Sequence, residues 1–593
     1  MLGRLHRLDG CTTFQPRLPT MVIRSRLNSA ATVAAALLAL PVVHGCGSAV
    51  AGLFEAASGD SSEAPETELF VESVSPTGGA LGVDREVPVL VQFTSDLDPS
   101  TVGPGSFDVS VEVGDESRPL SGRFLVDGSV VRFMPDLPWP LLADVEVSIG
   151  TGITTTAGRP LRTPFNSGFT TRDGSWVPVA SPPTSGRCAD LAHIEGVGAM
   201  LLVHDPNADV LSVWEYSVEQ GTWVDSGPLI DAPVSAIAHI DRFSHTNAVT
   251  RRSLIVGSDQ RVMLVSSAST SGGIEIRTSF RVAAGVWTPS EVVVPAQSSF
   301  PFIQVAGAWR NDEPNVAWFD GSLRARRHEF GLWQPTETID ATSIVSEFDF
   351  TNGPDGTLHA VWETSFGALH RTKAPTDDQW PTGFANSVRL SEQPASLQIH
   401  AFDDGSALVV GSVFFLQGGA GVESSFLFPG SPFWTSLGGS ASLNPLLGGD
   451  GGFANLLVSV HPSGPAIAAM TLNVEGTLTL AANVFDPVLW QFGEIVAGPY
   501  PGAFGASLVS DVGCAIDRDG NGLAVMVDGF EERVVAIRFD AAADEWRSLG
   551  VVPLVGETGC TRYPRIADLE RGGDMFAVFN VCGGSPIVPL MFR

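Results

Sequence analysis

The chain has few charged side chains, and their signs are strongly unbalanced. Charged residues make up 17% of its 593 residues, Lys373 is the only lysine, and the formal net charge is −31. An acidic surface repels phosphate backbones and anionic lipid headgroups. The composition therefore argues against a nucleic-acid-binding protein.

Signatures of catalysis are also missing from the sequence. It contains no G-x-S-x-G nucleophile motif and no S-x-D-x-G-x-x-W box, and its three tyrosines, Tyr216, Tyr500 and Tyr563, are poor nucleophile candidates. It also has no Cys-x-x-Cys pair, which argues against a cysteine-based metal or redox centre. His359 and His370 flank one strand-like segment, and we expect them to pack or hydrogen-bond there. No enzyme is indicated.

The residues that are abundant point to β-structure. The chain has 64 glycines and 41 prolines, and 44% of its residues are hydrophobic. This mixture is typical of a turn-rich, all-β protein, and the length allows more than one core. We therefore predict an all-β chain with several domains.

The N-terminal region has the layout of an export signal. From Met21, a basic stretch leads into the apolar run 30–40, which is too short to span a bilayer. Residues 21–45 are predicted to be a signal peptide, and residues 1–20 a mis-assigned start. Residues 46–69 are small and acidic, as in a flexible tether.

The segment Val43-His44-Gly45-Cys46 resembles the lipobox of bacterial lipoproteins. The resemblance implies that Cys46 is lipidated and anchors the chain in the membrane through several acyl chains. Gly47 at the next position implies the outer membrane, with the protein facing the cell surface or the periplasm. The alternative is an ordinary cleaved signal followed by an unrelated cysteine.

Residues 70–172 alternate apolar and polar side chains and have turn signals about every ten residues, as in a β-sandwich. The segment resembles a bacterial Ig-like domain of surface-layer proteins. The residues that carry this resemblance are Ser75-Pro76, Gly82-Val83, Val91–Phe93, Leu97–Val102, Phe133–Pro135 and Phe169–Thr171. The resemblance implies a spacer or presenting module without catalysis.

Residues 173–593 carry a repeat that is marked by tryptophan. The repeat tryptophans are Trp176, Trp223, Trp287, Trp333, Trp380, Trp434, Trp490 and Trp546. Each interval contains a strand, a turn and two further strands before the next tryptophan, as in Asp511 to Trp546. A period of about 50 residues with four strands is typical of a β-propeller blade.

The two ends of this region are predicted to complete each other. Three strands after Trp546 lack a fourth, whereas the strand that contains Trp176 precedes the first full unit. Their pairing would close the propeller and remove an open edge. We predict a closed β-propeller of eight blades, with seven as the alternative because the unit 223–287 and the Gly-rich stretch 411–452 are irregular.

The repeat tryptophans are interpreted as packing residues between blades. The alternative is a set of aromatic platforms for sugars, one in each blade. Trp-tagged blades resemble those of bacterial propeller lectins and reporter-like exoproteins, and this resemblance extends only to the style of the repeat.

Besides Cys46, four cysteines remain in the exported region, namely Cys188, Cys514, Cys560 and Cys582. Exported domains often carry disulfides. Because they share one unit, Cys560 and Cys582 are the favoured pair, with Cys188 and Cys514 bonded to each other or unpaired. The rival pairing joins Cys188 to Cys560 across the closure.

One acidic turn follows the first half of a calcium loop, D-x-D-x-N-G. Its candidate ligands are Asp517, Asp519, Asn521 and Asp528. Calcium requires about six to eight oxygens and a bidentate carboxylate late in the loop, but the ninth position here is Val525. Asp-Gly turns recur at Asp355 and Asp404, so a plain hairpin turn is preferred and calcium is the alternative. No other cofactor is expected.

Together, these features predict a lipid-anchored surface protein in which a tether and an Ig-like spacer present a propeller. Non-catalytic binding of a glycan or an envelope protein is the expected function, because the anchor, spacer and repeat come without an assembled active site. The alternatives are a propeller hydrolase or lyase that acts on polysaccharide, and a structural scaffold of an envelope complex.

Overall fold

A computed structural model describes much of the chain after residue 67. The described residues are 68–113, 116–184, 186–195, 197–205, 210–231, 253–257, 260–297, 304–341, 347–365, 367–383, 385–388, 390, 394–415, 419–431, 433–440, 456–461, 463–474, 477–486, 491–492, 496–497, 512–528, 533–541, 544–554, 561–570, 573–581 and 587–593. Apart from one 3₁₀ turn, Pro99–Thr101, their regular structure is strand. The prediction of an all-β fold is confirmed.

Two antiparallel four-stranded sheets form a sandwich between residues 71 and 170. Their strands are β1 (Val71–Ser75), β2 (Val89–Phe93), β3 (Phe107–Val113), β4 (Glu116–Pro119), β5 (Gly122–Asp127), β6 (Val130–Pro135), β7 (Asp144–Ile149) and β8 (Phe165–Thr170). The strand orders are β1-β2-β6-β5 and β4-β3-β7-β8.

Alternating side chains build the core of the sandwich. In β2, Val89, Val91 and Phe93 are fully buried, whereas the two side chains between them are partly exposed. A pleated strand sends successive side chains to opposite faces, so each sheet has one apolar face. The two apolar faces meet in a single cluster that also contains the buried Trp139.

A short strand and four sheets follow the sandwich. The short strand is β9 (Trp176–Pro178). Sheet 1 contains β10 (Arg187–Ile194), β11 (Gly198–Asp205), β12 (Val210–Ser217) and β13 (Thr222–Asp231), and sheet 2 contains β14 (Leu254–Val256), β15 (Val262–Thr270), β16 (Gly273–Ala283), β17 (Val286–Trp287) and β18 (Glu291–Gln297). Sheet 3 contains β19 (Gln304–Arg310), β20 (Glu313–Phe319), β21 (Leu323–Glu329), β22 (Leu332–Trp333) and β23 (Glu337–Asp340), and sheet 4 contains β24 (Phe348–Asn352), β25 (Leu358–Thr364), β26 (Gly367–Lys373) and β27 (Asn386–Val388).

Four more sheets complete the described chain. Sheet 5 contains β28 (Pro394–Ala401), β29 (Ala407–Phe415), β30 (Gly419–Leu427) and β31 (Trp434–Ser440), and sheet 6 contains β32 (Leu456–Val460), β33 (Ala466–Val474), β34 (Thr477–Asp486), β35 (Gln491–Phe492) and β36 (Val496–Ala497). Sheet 7 contains β37 (Val512–Ile516), β38 (Gly522–Asp528), β39 (Arg533–Asp540) and β40 (Glu545–Val551). Sheet 8 contains β41 (Thr561–Asp568), β42 (Met575–Val581), β43 (Ile587–Phe592) and β9.

Sheet 8 is built from both ends of the region that follows the sandwich. β9 pairs antiparallel with β43, and Trp176 lies opposite Phe592. The predicted pairing between the Trp176 strand and the last three strands is confirmed. Within the described residues, eight sheets therefore follow the sandwich, and the last of them takes its fourth strand from the beginning of the series.

In sheets 1 to 7 the strands run antiparallel in chain order, and in sheet 8 the strand β9 takes the fourth position, so each of these sheets has two different ends. The turns after the first and third strands lie at one end, which we call the turn end. The turn after the second strand and the connection to the next sheet lie at the other, which we call the linker end. In sheets 2, 3 and 6 the fourth position is divided between two short strands.

Neighbouring sheets pack face to face through apolar clusters. One cluster combines Met263 of sheet 2 with Val316 of sheet 3, and another combines Cys188 of sheet 1 with Phe576 of sheet 8. First strands contact each other from sheet 1 to sheet 5 and from sheet 6 to sheet 8, and β10 also contacts β41. Sheet 1 therefore packs on sheet 8 as well as on sheet 2.

Candidate functional site

The Asp517 turn joins β37 to β38 at the turn end of sheet 7. The backbone N–H of Asp517 donates to the carbonyl of Asn521, and that of Gly520 donates to the carbonyl of Asp517. Gly520 has a φ of +88°, which glycine adopts without strain. The same pair of backbone bonds occurs in turns that begin at Gly257, Gly353, Phe402 and His461. The predicted recurrence of the Asp-Gly turn at Gly356 and Gly405 is therefore confirmed.

The carboxylate of Asp517 is buried and is used inside its own turn. Oδ1 accepts hydrogen bonds from the backbone N–H groups of Asp519 and Asn521, and Oδ2 accepts one from the side-chain amide of Asn521 at 2.9 Å. Burial raises the pKa of Asp517 to about 6, and these hydrogen bonds act in the opposite direction. The side chain stabilises the turn from within.

The other proposed calcium ligands also have protein partners. Asp519 forms an ion pair of 2.9 Å with Arg118 of the sandwich, and the side-chain oxygen of Asn521 accepts a hydrogen bond from the backbone of Ala541. Asp528 ends β38, and its side chain lies outside the described residues. Among the described residues, no group of three or more His, Cys, Asp or Glu side chains is arranged to hold a metal ion. The calcium site stays a prediction.

The sandwich docks beside this turn. Arg85 donates to the carbonyl of Trp139 and forms an ion pair with Asp574, and both charged side chains are 4% exposed. Leu141 belongs to the apolar cluster that sheets 7 and 8 share. Asp173 pairs with Arg538 at 2.8 Å. We call these contacts, together with Arg118–Asp519, the junction.

The turn of sheet 8 beside the junction carries carboxylates with perturbed pKa values. Burial raises the pKa of Asp568 to about 8, and the charge of nearby Asp517 adds to this increase. Burial also raises the pKa of Glu570, as does the negative charge of Glu195. These groups therefore hold protons at a pH where exposed carboxylates are ionised.

The described repeat tryptophans lie between sheets. Each packs against the sheet that precedes its own in the series. Trp434 of sheet 5 contacts His370 of sheet 4 at a ring-centroid distance of 4.9 Å, and Trp223 of sheet 1 contacts Phe576 of sheet 8 at 6.1 Å. The other described members in such clusters are Trp176, Trp287, Trp333, Trp380 and Trp546. This placement fits the packing interpretation, and Trp490 lies outside the described residues.

The described cysteines are buried free thiols. Cys188 lies between sheets 8 and 1 and donates to the carbonyl of Asp190, and Cys514 lies between sheets 6 and 7. Burial raises the pKa of each thiol to about 12. The rival pairing of Cys188 with Cys560 is therefore wrong for this structure, as is a bond between Cys188 and Cys514. Cys46, Cys560 and Cys582 lie outside the described residues, so the Cys560–Cys582 bond and the lipidation of Cys46 stay predictions.

His359 and His370 form a buried pair within sheet 4. Nδ1 of His359 lies 3.3 Å from Nε2 of His370, and the two rings are stacked. Burial lowers the pKa of His359 to about 4 and that of His370 well below its usual value, and their mutual repulsion contributes to the lower value of His370. The pair is packed in the core, as the sequence suggested.

The sequence analysis missed the residues that hold the molecule together across long distances. Arg85 and Asp574 are 489 positions apart. Arg371 of sheet 4 donates to the carbonyl of Ile339 in sheet 3, and Lys373, 1% exposed, pairs with Glu337 of sheet 3 at 2.6 Å. The sequence did contain a signal for the pair of Lys373 and Glu337, because a lone lysine in an apolar strand requires a charged partner when it is buried.

Comparison with known proteins gives one family relationship. Residues 65–171 match the bacterial Ig-like domain family. Domains of this family are typically extracellular or surface-associated. No curated protein matches the chain. In the part of the chain that the structure describes, no helix is long and apolar enough to cross a bilayer.

Several solved structures show partial likeness. The chain is 7% identical to the Dos1 propeller, covering 70% of this chain and 95% of that one with a TM-score of 0.40. It is 8% identical to the polysaccharide lyase Uly1, covering 70% and 90% with a TM-score of 0.31. It is 14% identical to puromycin hydrolase, covering 71% of this chain and 58% of that one with a TM-score of 0.35. These values are too low to carry a functional argument. The described chain is thus all-β, and its residues 65–171 match the bacterial Ig-like domain family.

Proposed function

We propose that this protein is a surface lipoprotein whose Ig-like domain holds a closed, eight-bladed β-propeller away from the membrane, and that the propeller binds a glycan without catalysis. The observation that carries the proposal is the position of the junction. It occupies the turn end of sheets 7 and 8 and leaves the linker end facing away from the sandwich.

The direction in which the chain enters the sandwich supports this orientation. Glu68 lies next to Thr94, just beyond the last residue of β2, whereas Arg85 precedes the first residue of β2. At about 3.3 Å per strand residue, the five residues of β2 between these positions span roughly 16 Å along the sandwich. The described chain therefore begins at one end of β2, and the junction lies beyond the other end.

Ring closure is supported by the packing of sheet 1 on sheet 8 and by the pairing of β9 with β43. In a closed ring, every sheet has a neighbouring sheet on each side. It also gathers the eight linker ends at one face, where loops can combine into one binding surface.

The composition of the connections favours a glycan as the ligand. In the sequence, between the last strand of one sheet and the first strand of the next, there are aromatic residues at Phe300, Phe302, Phe453, Tyr500 and Phe504, all outside the described residues. Aromatic rings pack against the apolar faces of sugars, and ligand sites combine such rings with a few polar groups. The acidic chain favours a neutral or cationic glycan over an anionic one.

A glycan array tests this proposal with the fragment 68–593, with and without calcium. We expect saturable binding to a defined sugar, weakened by Phe302→Ala or Tyr500→Ala and unchanged by Phe70→Ala on the sandwich. Loss of binding on chelation would show that a cation takes part in sugar binding. If no displayed sugar binds, the glycan ligand is wrong, and an envelope protein becomes the ligand to test by co-purification.

The same bound sugar tests the enzymatic alternative. Incubation with the fragment should leave the length of an oligosaccharide unchanged if the propeller only binds it. Shorter products or an unsaturated end group would instead indicate a hydrolase or a lyase.

The anchor is tested separately by metabolic labelling with a fatty acid. We expect label on the wild-type chain and none on a Cys46→Ser variant, which should be released from the membrane fraction. Equal labelling of both chains would contradict lipidation at Cys46.

A further inference from the structure

The sandwich contacts the place where the series of sheets is completed. Sheet 8 is the only described sheet that combines strands from both ends of the series, and its fourth strand, β9, is three residues long. Reciprocal backbone bonds between Ser175 and Arg593 extend the pairing by one step. We call the pairing of β9 with β43 the seam. Because β9 is so short, it contributes few hydrogen bonds. The stability of the seam therefore depends on the residues that pack around it.

The segment that leads into β9 is wedged between the sandwich and the seam. At Gly174, a Cβ atom would lie 2.4 Å from the ring of Phe592 and 3.1 Å from Leu141. Asp173, the preceding residue, pairs with Arg538 of sheet 7, whose guanidinium lies 5.9 Å from the Phe592 ring centroid. Sandwich, linker segment, sheet 7 and seam therefore share one set of contacts.

The Asp517 turn is adapted to reach the sandwich. In the matching turns of sheets 4 and 5, the third residue, Asp355 or Asp404, accepts a hydrogen bond from the backbone two positions later. In sheet 7, Asp517 accepts the equivalent bond from Asn521. Asp519 is thereby released from the turn, and it pairs with Arg118.

The central contact of the junction is buried on both sides. The side chains of Arg85 and Asp574 are each 4% exposed, and the backbone carbonyl of Asp574 accepts a hydrogen bond from the backbone N–H of Leu569, which closes the turn of sheet 8. Removal of either partner would leave an uncompensated charge in the protein interior. The pair therefore ties the sandwich to the sheet that contains the seam.

We propose that the Ig-like domain is a clamp on the seam, so that sandwich and sheets act as one mechanical unit instead of as a spacer and an independent domain. The clamp holds sheet 8 through Arg85 and Leu141, and it holds the neighbouring sheet 7 through Leu141 and Arg118. A force transmitted along the tether would then load the sandwich and the seam together. The inference requires only the observed contacts, and it holds whichever ligand the linker end binds.

Hydrogen exchange on the full chain tests the clamp, with Arg85→Met as the variant and Arg162→Met as the matched control. Arg162 pairs with Glu68 at the opposite pole of the sandwich, where both side chains are more than half exposed. We expect Arg85→Met to accelerate exchange in β9 and β43 by more than about tenfold, equivalent to about 1.4 kcal/mol, while β24 to β26 of sheet 4 change less than about twofold. Arg162→Met should alter neither region.

Two further variants keep the test decisive if Arg85→Met does not fold. Leu141→Ala removes apolar contacts from the cluster of sheets 7 and 8 and should produce the same regional pattern with a smaller factor. An exchange of charges, Arg85→Asp with Asp574→Arg, should restore part of the protection. Unchanged exchange at the seam, or an equal increase in sheet 4, would overturn the clamp.

Discussion

At the scale of single residues, the junction is notable for carboxylates that keep their protons. Asp568 has a pKa raised to about 8 because burial disfavours its charged form and Asp517 is close. In the unfolded chain the same group has a pKa of about 3.9. Between these values the folded state holds a proton that the unfolded state has lost, so this residue contributes stability that declines as the pH rises from about 4 to 8.

Asp568→Asn should remove this dependence. An amide keeps the acceptor for the backbone of Glu570 and has no charge to bury. We expect the variant to be more stable than the wild type at pH 9 by on the order of 2 kcal/mol and nearly equal to it at pH 5. Thermal unfolding at both pH values measures this difference. Parallel pH profiles for the two proteins would contradict the buried-proton account.

The His359–His370 pair has the opposite dependence on pH. Burial lowers the pKa of His359 to about 4 from its usual 6.5, so the unfolded chain takes up a proton first as the pH falls. The pair therefore contributes stability that is present above pH 6.5 and is lost as the pH falls towards 4.

His370→Phe should make the protein less sensitive to acid. Phenylalanine fills similar space beside Trp434 and cannot be protonated. The free energy of unfolding should fall between pH 6.5 and pH 4.5 in both proteins. We expect the decrease in the variant to be smaller than that in the wild type by at least about 1 kcal/mol. Urea titrations at the two pH values provide the measurement, and an unchanged acid sensitivity would show that these imidazoles do not control it.

At the scale of elements, the recurring turn and the tryptophan-bearing strand serve different purposes. The turn fixes the hairpin locally through two backbone bonds and one residue at positive φ. Each described repeat tryptophan connects its own sheet to the one before it, as Trp287 and Trp434 do. The turn sets the register of strands within a sheet, and the tryptophan determines how successive sheets stack.

Tryptophan substitutions should therefore cost stability in proportion to burial between sheets. Trp434 is 2% exposed, whereas Trp287 is only partly buried. We expect Trp434→Ala to lower the free energy of unfolding by about 3–5 kcal/mol and Trp287→Ala by roughly half as much. Denaturant titration would show the order. Loss of sugar binding without loss of stability would instead favour the platform interpretation.

The Asp517 turn offers a direct comparison between the turn and the calcium loop. Asp517→Ala removes the acceptor of three hydrogen bonds, so we expect a loss of about 1–3 kcal/mol that is the same with EDTA and with calcium. The melting temperature provides the measurement. Stabilisation of the wild type by calcium that disappears in Asp517→Ala would establish a cation site.

At the scale of the whole molecule, the two ends of the sheet series depend on each other. A chain that begins at residue 180 would lack the sandwich and β9, leaving β43 with an unpaired edge. Exposed strand edges recruit other chains. We expect this fragment to aggregate or to elute as oligomers in size-exclusion chromatography, whereas the fragment 68–593 elutes as a monomer. A stable monomer from residue 180 onward would show that sheet 8 does not require β9.

The sequence alone predicted the features that depend on nearby residues. Alternating apolar positions, Asp-Gly turns and the spacing of tryptophans indicated the strands, and the lone strand at Trp176 indicated its partner. These signals are local because a pleated strand has a period of two and a tight turn requires a residue that tolerates positive φ. The order of strands within sheets 1 to 7 follows from short connections between consecutive strands.

Only the tertiary structure decided how distant parts meet. Nothing near Arg85 indicates a partner at Asp574, and nothing in the Asp517 turn shows that Asp519 is released towards Arg118. The spacing of Cys188 and Cys514 left a bond open, but burial in different clusters keeps them apart. Such contacts depend on how whole sheets and the sandwich dock. Docking is governed by the shapes and charges of assembled surfaces, which no local period in the sequence encodes.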